Sequence, residues 1–446
     1  MTDPDTQARP DSRRTSSRGA VATVMLWGRE VGAVAEDPAS GAVLFEYAES
    51  FRQSGLEISP IHLPLSRRGP LRFPELARSA EFQGLPGVLA DSLPDAFGNA
   101  IIRRYFEQRG TPAHSLSPVQ KLLYMGQRAM GALEYHPPLQ GTRSAATDEA
   151  LAIAALVEQA RHVVEGDTTV AIPEMMQIGA SAGGARAKAL VLCNSDRSRV
   201  RSGFASPEPD EQHWMIKFDG VTAGAGGHDM VREFHPTPWG RIEYAYYRMA
   251  LRAGLEMFEC ALLHERDYAH FMTQRFDRVN GTRLHMHSLG GMQHADYNVR
   301  QVLSYEEYFR TIRALGLGQP ALEQAYRRMV FNVLARNQDD HVKNFAFLMN
   351  PKGEWRLAPA YDVTWAVGGL WAHTHQMTVA GKDDNFTRAD LLRVGEAFDV
   401  RQDGAAILEE VAEAVQSWPA EAASVGLSRR EIEMVETTLE ARRASL

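Results

Sequence analysis

Cysteine is nearly absent: the 446-residue chain carries two, Cys193 and Cys260. That excludes a disulfide scaffold and a multi-cysteine zinc site, and it fits a reducing compartment. No run approaches the ~18–20 apolar residues of a membrane span. The first apolar stretch, Ala20 to Trp27, is short even for a signal-peptide core, and Gly28-Arg29 ends it. Residues 1–19 are rich in Arg, Ser, Asp and Pro and read as a disordered tail. Their acids Asp3, Asp5 and Asp11 argue against a transit peptide. The expectation is a soluble, cytoplasmic protein with no membrane partner. Basic excess is missing as well: 48 Lys and Arg stand against 56 Asp and Glu, a net charge of −8. A broad nucleic-acid surface is therefore excluded, while a local basic patch stays open. No fixed-period repeat is visible.

What is present is globular in composition, 44 % hydrophobic and 23 % charged, and long enough for about two or three domains. Val21 to Trp27, Gly28-Arg29-Glu30 and Val31 to Val34 read as a hairpin, with Val43 to Tyr47 as a third strand. Pro60 to Pro74 reads as extended or loop, and helical text runs from near Pro94 through Phe106. A polar Pro/Gly stretch at 137–148 marks a domain boundary. Beyond it come a helix-like stretch from Glu149 to Val164, a glycine-dense loop, the apolar run Ala189 to Cys193 and the short strand Trp214 to Phe218. Ile242 to Leu255 has helical period, and Leu322 to Leu334 places Leu322, Tyr326, Met329, Val330, Val333 and Leu334 on one face. The fold expectation is α+β: a small β-rich N-terminal part over 20–140 and a larger, mostly helical C-terminal part over 149–435.

Three features could carry chemistry. In Asn337-Gln338-Asp339-Asp340-His341-Val342-Lys343-Asn344, four residues separate Asp339 from Asn344. This is the kinase spacing of a proton-accepting Asp and a magnesium-holding Asn, and Asp362 follows where a second metal-binding Asp would stand. Polar loop residues capping two elements are the plainer reading, and it stays open on spacing alone. Gly179 to Lys188 contains Gly183, Gly184 and Ala185 where a Walker loop would need a lysine, so a kinase-type loop over a nucleotide fits better than a P-loop. A merely flexible connection is the alternative. Third, Lys217 lies in an otherwise apolar strand and must meet an anion or reach solvent. Glu243 on the next helix is its candidate ion-pair partner. The five signals occur in the one order that a bilobal kinase requires, and that order favours ATP-dependent phosphoryl transfer. His285-x-His287 and His373-x-His375 could suggest a metal, but hydrogen-bonded histidines explain them as well. Ser181 lacks a Gly-x-Ser-x-Gly elbow and is not a hydrolase nucleophile.

Together with Gly84-Leu85-Pro86-Gly87, Leu93-Pro94-Asp95, Gln274-Arg275-Phe276-Asp277-Arg278 and Ala360-Tyr361-Asp362, these motifs resemble the HipA family of serine/threonine kinase toxins. The resemblance covers roughly residues 20–435. It implies a bilobal kinase fold, ATP and Mg²⁺ as cofactors, Asp339 as catalytic base, and Asn344 and Asp362 as metal ligands. Ala182, Gly183, Gly184, Ala185, Arg186, Ala187, Lys188 and Lys217 would hold the phosphates. Gln274, Arg275 and Phe276 would form the hinge beside adenine, and His341, Val342, Lys343 and Asn344 would line the nucleotide. Ser181 would be the autophosphorylation site. The implied partners are a HipB-like helix-turn-helix antitoxin, operator DNA mainly through that antitoxin, and a protein substrate such as an aminoacyl-tRNA synthetase. A lipid or small-molecule kinase and a non-catalytic co-repressor are the competing readings.

Overall fold

The computed structural model describes residues 19–107, 116–139, 155–158, 160, 162, 186–221, 237–368, 372–400 and 404–445. The expected Gly-rich loop residues Ser181 to Ala185, and most of the expected 149–164 helix, lie outside them.

The N-terminal part is a four-stranded antiparallel sheet of β1 (Val21–Leu26), β2 (Arg29–Glu36), β3 (Val43–Tyr47) and β4 (Leu133–His136), in the order β3-β2-β1-β4. Alternation buries Ala22, Val24 and Leu26 of β1 on one face, as a period of two dictates for a half-buried sheet. The sequence pattern does not mark β4, whose four residues pair with β1 from across the domain. Among the described residues, four helices accompany the sheet: α1 (Glu49–Arg52), α2 (Gly87–Ala90), α3 (Ala96–Glu107) and α4 (Pro118–Met125). Ser117 and Gln120 close a capping box at the start of α4, with Pro118 at its first turn.

The C-terminal part opens with a five-stranded sheet, β6-β5-β7-β9-β8, built from β5 (Lys188–Asn194), β6 (Val200–Ser202), β7 (Glu211–Lys217), β8 (Cys260–Glu265) and β9 (Tyr268–Gln274). Between β7 and β8 runs helix α5 (Trp239–Arg252), which stops short of the expected Leu255 because Gly254 turns the chain at φ 74°. A small pair, β10 (Arg278–Val279) and β11 (Thr282–Arg283), leads to β12 (His285–Ser288). With β13 (Ala346–Met349) and β14 (Trp355–Leu357), β12 forms a three-stranded sheet. The remainder is helical: α6 (Leu289–Gln293), α7 (Tyr305–Ala314), α8 (Gln319–Leu334), α9 (Arg388–Ala397), α10 (Gly404–Gln416), α11 (Trp418–Ser424) and α12 (Arg429–Ala444).

Phe97, Ile101 and Ile102 of α3 share a core with Ala189, Val191, Trp214 and Ile216 of the five-stranded sheet. The largest core joins α5, α7, α8 and the last four helices around Trp365 and Trp418. The architecture is thus α+β, with a β-rich N-terminal part and a mostly helical C-terminal part.

Candidate active site

The five-stranded sheet and the helical body meet around Lys217. Lys188 and Lys217 stand directly opposite each other in the β5–β7 register, and both are buried. Two buried ammonium groups side by side are costly unless carboxylates compensate them. Lys217 pairs with both Glu243, on the first half of α5, and Asp362. Burial works against its charge, but Asp362 and Glu243 outweigh that and lift its pKa above the ordinary lysine value. Glu243 also accepts from Arg186, Nη1 to Oε2 at 3.2 Å. The same guanidinium lies 4.9 Å from the Trp239 ring centroid, one helical turn before Glu243. Arg186 therefore reaches from the start of β5 to two points on one face of α5.

The loop after α8 supplies the other wall. Asp340 is fully buried and accepts from Tyr305 Oη, His375 Nδ1 and the Gln376 backbone N–H, each at 2.8 Å. That network fixes the backbone of its neighbour Asp339, whose side chain remains exposed. The surrounding protein still desolvates this carboxyl and raises its pKa; His341 opposes the rise, and Asp362 and Asp340 add to it. The Asn344 amide donates to the Asp339 carbonyl at 2.8 Å, closing the loop on itself. Its carbonyl oxygen is buried and has no hydrogen-bond partner among the described residues, an orphan acceptor in a site rich in oxygen. His341 accepts from the Lys343 N–H at 3.3 Å, and Tyr361 Oη donates to the Lys343 carbonyl at 2.5 Å.

Asp362 follows with a left-handed backbone, φ 54°, which a non-glycine residue holds only when its surroundings enforce it. Burial pushes its carboxyl up, yet Lys217 and Lys188 outweigh that and hold it well below the usual carboxylate range. The residues expected from spacing thus lie together: Lys217 pairs with Glu243 and Asp362, the Asp362 charge acts on Asp339, and Asn344 bonds the Asp339 carbonyl.

At the expected hinge, Arg275 is tied into the protein. Its guanidinium forks onto Asp277, at 2.9 and 2.7 Å, and its N–H donates to the His213 carbonyl at 2.8 Å. The buried side chain thus braces the turn at the end of β9. Gln274 donates its N–H to Glu259, and Phe276 packs against Tyr361 with ring centroids 5.3 Å apart. Val342 is buried in the helical core.

His285, His287 and His375 are hydrogen-bonded through their rings, while His373 is exposed. His285 Nε2 contacts the Ile58 carbonyl at 2.9 Å. His287 bridges Asp91, at 2.7 Å, and Ser59, at 3.1 Å. Ser59 and His287 are both buried, so this Ser–His–Asp line ties β12 to the N-terminal part and offers no route to a substrate. No group of three or more His, Cys, Asp and Glu arranged to hold a metal occurs among the described residues, and none of their helices is long and apolar enough to cross a membrane.

Sequence reasoning assigns no role to three carboxylates. Asp219, two residues past Lys217, accepts from Thr237 at 2.5 Å, Gly220 at 3.0 Å and Gly240 at 3.4 Å, so it caps α5. Asp95 lies 3.5 Å from Lys188, and Glu81 pairs with Lys343. Only Asp95 carried a signal, an acid following Pro94 at a helix start.

A bilobal arrangement of this kind, with a lysine–glutamate pair in one lobe and Asp-x₄-Asn with a later Asp in the other, defines a kinase-like fold. The model of the HipA N-terminal domain matches residues 22–136, and that of the HipA-like C-terminal domain matches 180–418. The chain belongs to the HipA family. Among solved structures it is similar to a chain of the Shewanella oneidensis MR-1 toxin–antitoxin complex of HipA, HipB and operator DNA, at 18 % identity and a TM-score of 0.66. That match covers 94 % of this chain and 96 % of the other. The Helicobacter pylori proinflammatory kinase CtkA aligns over 53 % of this chain and 88 % of its own, at 14 % identity and a TM-score of 0.33. A search of curated proteins finds no match.

Proposed function

We propose that this chain is an ATP-dependent serine/threonine protein kinase that serves as the toxin of a toxin–antitoxin pair. The observation that carries the reading is Lys217 held between Glu243 and Asp362, with Asp362 acting electrostatically on Asp339. Lys217 and Lys188 would receive the phosphates. Asp339, open to solvent yet partly desolvated, is suited to accept the proton of an acceptor hydroxyl.

Asn344 and Asp362 suit Mg²⁺: both offer hard oxygen donors, and the Asn344 carbonyl oxygen is otherwise unpartnered among the described residues. When bound, the ion would neutralise phosphate charge. The HipB antitoxin and operator DNA in the Shewanella complex support equivalent partners here, and the net charge of −8 favours DNA contact through the antitoxin. An aminoacyl-tRNA synthetase as acceptor, and autophosphorylation of Ser181, belong to the same proposal.

Expression without an antitoxin tests the reading. Wild type should arrest growth, and Lys217→Ala should relieve the arrest; equal arrest by both would contradict phosphoryl transfer as its cause. Labelled ATP added to a lysate would identify the acceptor, and mass spectrometry would report whether Ser181 is modified.

A further inference from the structure

The segment 79–98 of the N-terminal part touches the C-terminal part at successive points. Ser79 Oγ donates to Asp296 at 2.5 Å, and Glu81 pairs with Lys343. The Gly87 N–H donates to His294 Nε2 at 3.1 Å. Asp91 accepts from His287 and from both the N–H and the hydroxyl of Ser288, at 2.7, 2.8 and 2.6 Å. Asp95 ends the series on Lys188.

Two members of this series, Glu81 and Asp95, differ from the others because they meet lysines that belong to the site. Lys188 is buried beside Lys217, and its ammonium has no hydrogen-bond partner among the described residues. Asp95 Oδ2, at 3.5 Å, is the carboxylate paired with it, and Asp362 also feels its charge. The other oxygen of Asp95 accepts the Gly98 N–H at 2.7 Å, so the carboxylate is anchored to α3 and cannot follow the lysine freely. Lys343 lies between His341 and Asn344. Its ammonium is held by Glu81 and faces the Tyr297 ring at 5.3 Å, while its carbonyl is held by Tyr361. Pinning Lys343 at both its side chain and its backbone fixes the turn that aims the Asn344 oxygen.

We propose that Asp95 and Glu81 are positioning residues of the nucleotide site: the N-terminal domain is a two-point clamp, with one carboxylate setting Lys188 in the sheet lobe and the other setting the 337–344 loop. The clamp rests on the phosphoryl-transfer reading, and it makes the N-terminal domain a working part of the site.

Asp95→Asn and Glu81→Gln test it in the full chain. Asn keeps a side-chain oxygen for the Gly98 cap, and Gln is isosteric with Glu, so both variants should fold. Asp95→Asn should raise the KM for ATP about tenfold with kcat within about threefold. Glu81→Gln should lower kcat about tenfold with the ATP KM nearly unchanged, and Glu81→Asp should recover part of the rate. Wild-type kinetics in both variants, or a loss that follows the melting temperature alone, would overturn the clamp while leaving the kinase reading intact. Absence of Mg·ATP binding and phosphoryl transfer in the wild type would overturn both.

Discussion

Around Lys217 the site holds three cations, Lys217, Lys188 and Arg186, against three carboxylates, Glu243, Asp362 and Asp95. Each of these charges has an opposite partner, which offsets the cost of burying it. Asp362 is the member on which the proposed metal depends most. Asp362→Ala removes a hard donor together with one of the two carboxylates on Lys217, so the Mg²⁺ concentration for half-maximal activity should rise at least about tenfold. Titrating Mg²⁺ at fixed ATP checks this, and an unchanged requirement would contradict the ligand assignment. Asp339, Asn344, Lys217, Glu243 and Asp362 were legible because their chemistry restricts residue type, spacing and order. The Arg275–Asp277 ion pair lies within one motif, but spacing alone does not say that the guanidinium forks onto that carboxylate. Glu81 is a lone acid in a loop whose partner lies far along the chain, and no local pattern could reveal it.

Helix α5 must be held at its start if Glu243 is to meet Lys217, and Asp219 does the holding. Burial pushes the Asp219 carboxyl up to about 6, against the hydrogen bond from Thr237, the charge of Arg186 and the N–H groups of Gly240 and Gly220. The folded protein therefore retains a proton that the unfolded chain releases near pH 4, and stability falls as pH rises from about 4 to about 6 and levels off above that. Asp219→Asn keeps an acceptor for the helix start and removes the cost of burying the charge. The melting temperature of the variant minus that of wild type should rise across this window and then stay constant, as calorimetry from pH 4 to 8 would show. A difference independent of pH would contradict it. At this scale, strands with plain alternation, such as β1, were legible. β8 and β9 were not, because His264, His270 and Thr273 interrupt their apolar pattern.

The whole molecule depends on close approach between its two parts. A Cβ on Gly87 would lie 1.9 Å from the Gly291 carbonyl oxygen and 2.6 Å from its carbon, both backbone atoms that cannot step aside. Gly87→Ala should therefore destabilise the protein by roughly 1–3 kcal/mol or more as α2 is forced off α6. Denaturant unfolding would measure the loss, and a midpoint equal to that of wild type would show that the two helices do not meet as described. Composition and element order announced a β-rich part followed by a helical one. How the two parts dock was not legible, since it turns on glycines and buried histidines that look ordinary in a linear pattern. His287, readable as a metal ligand, instead fastens one part to the other through Asp91 and Ser59.

The most direct test of the central claim compares wild type with Asp339→Asn, both purified, in Mg²⁺ and γ-phosphate-labelled ATP. The substitution preserves shape while removing the proton acceptor. The account predicts labelled protein with wild type, at least about a hundredfold slower transfer with the variant, and similar ATP affinity in both. Transfer by Asp339→Asn at the wild-type rate would contradict the assignment of these residues as the site of phosphoryl transfer.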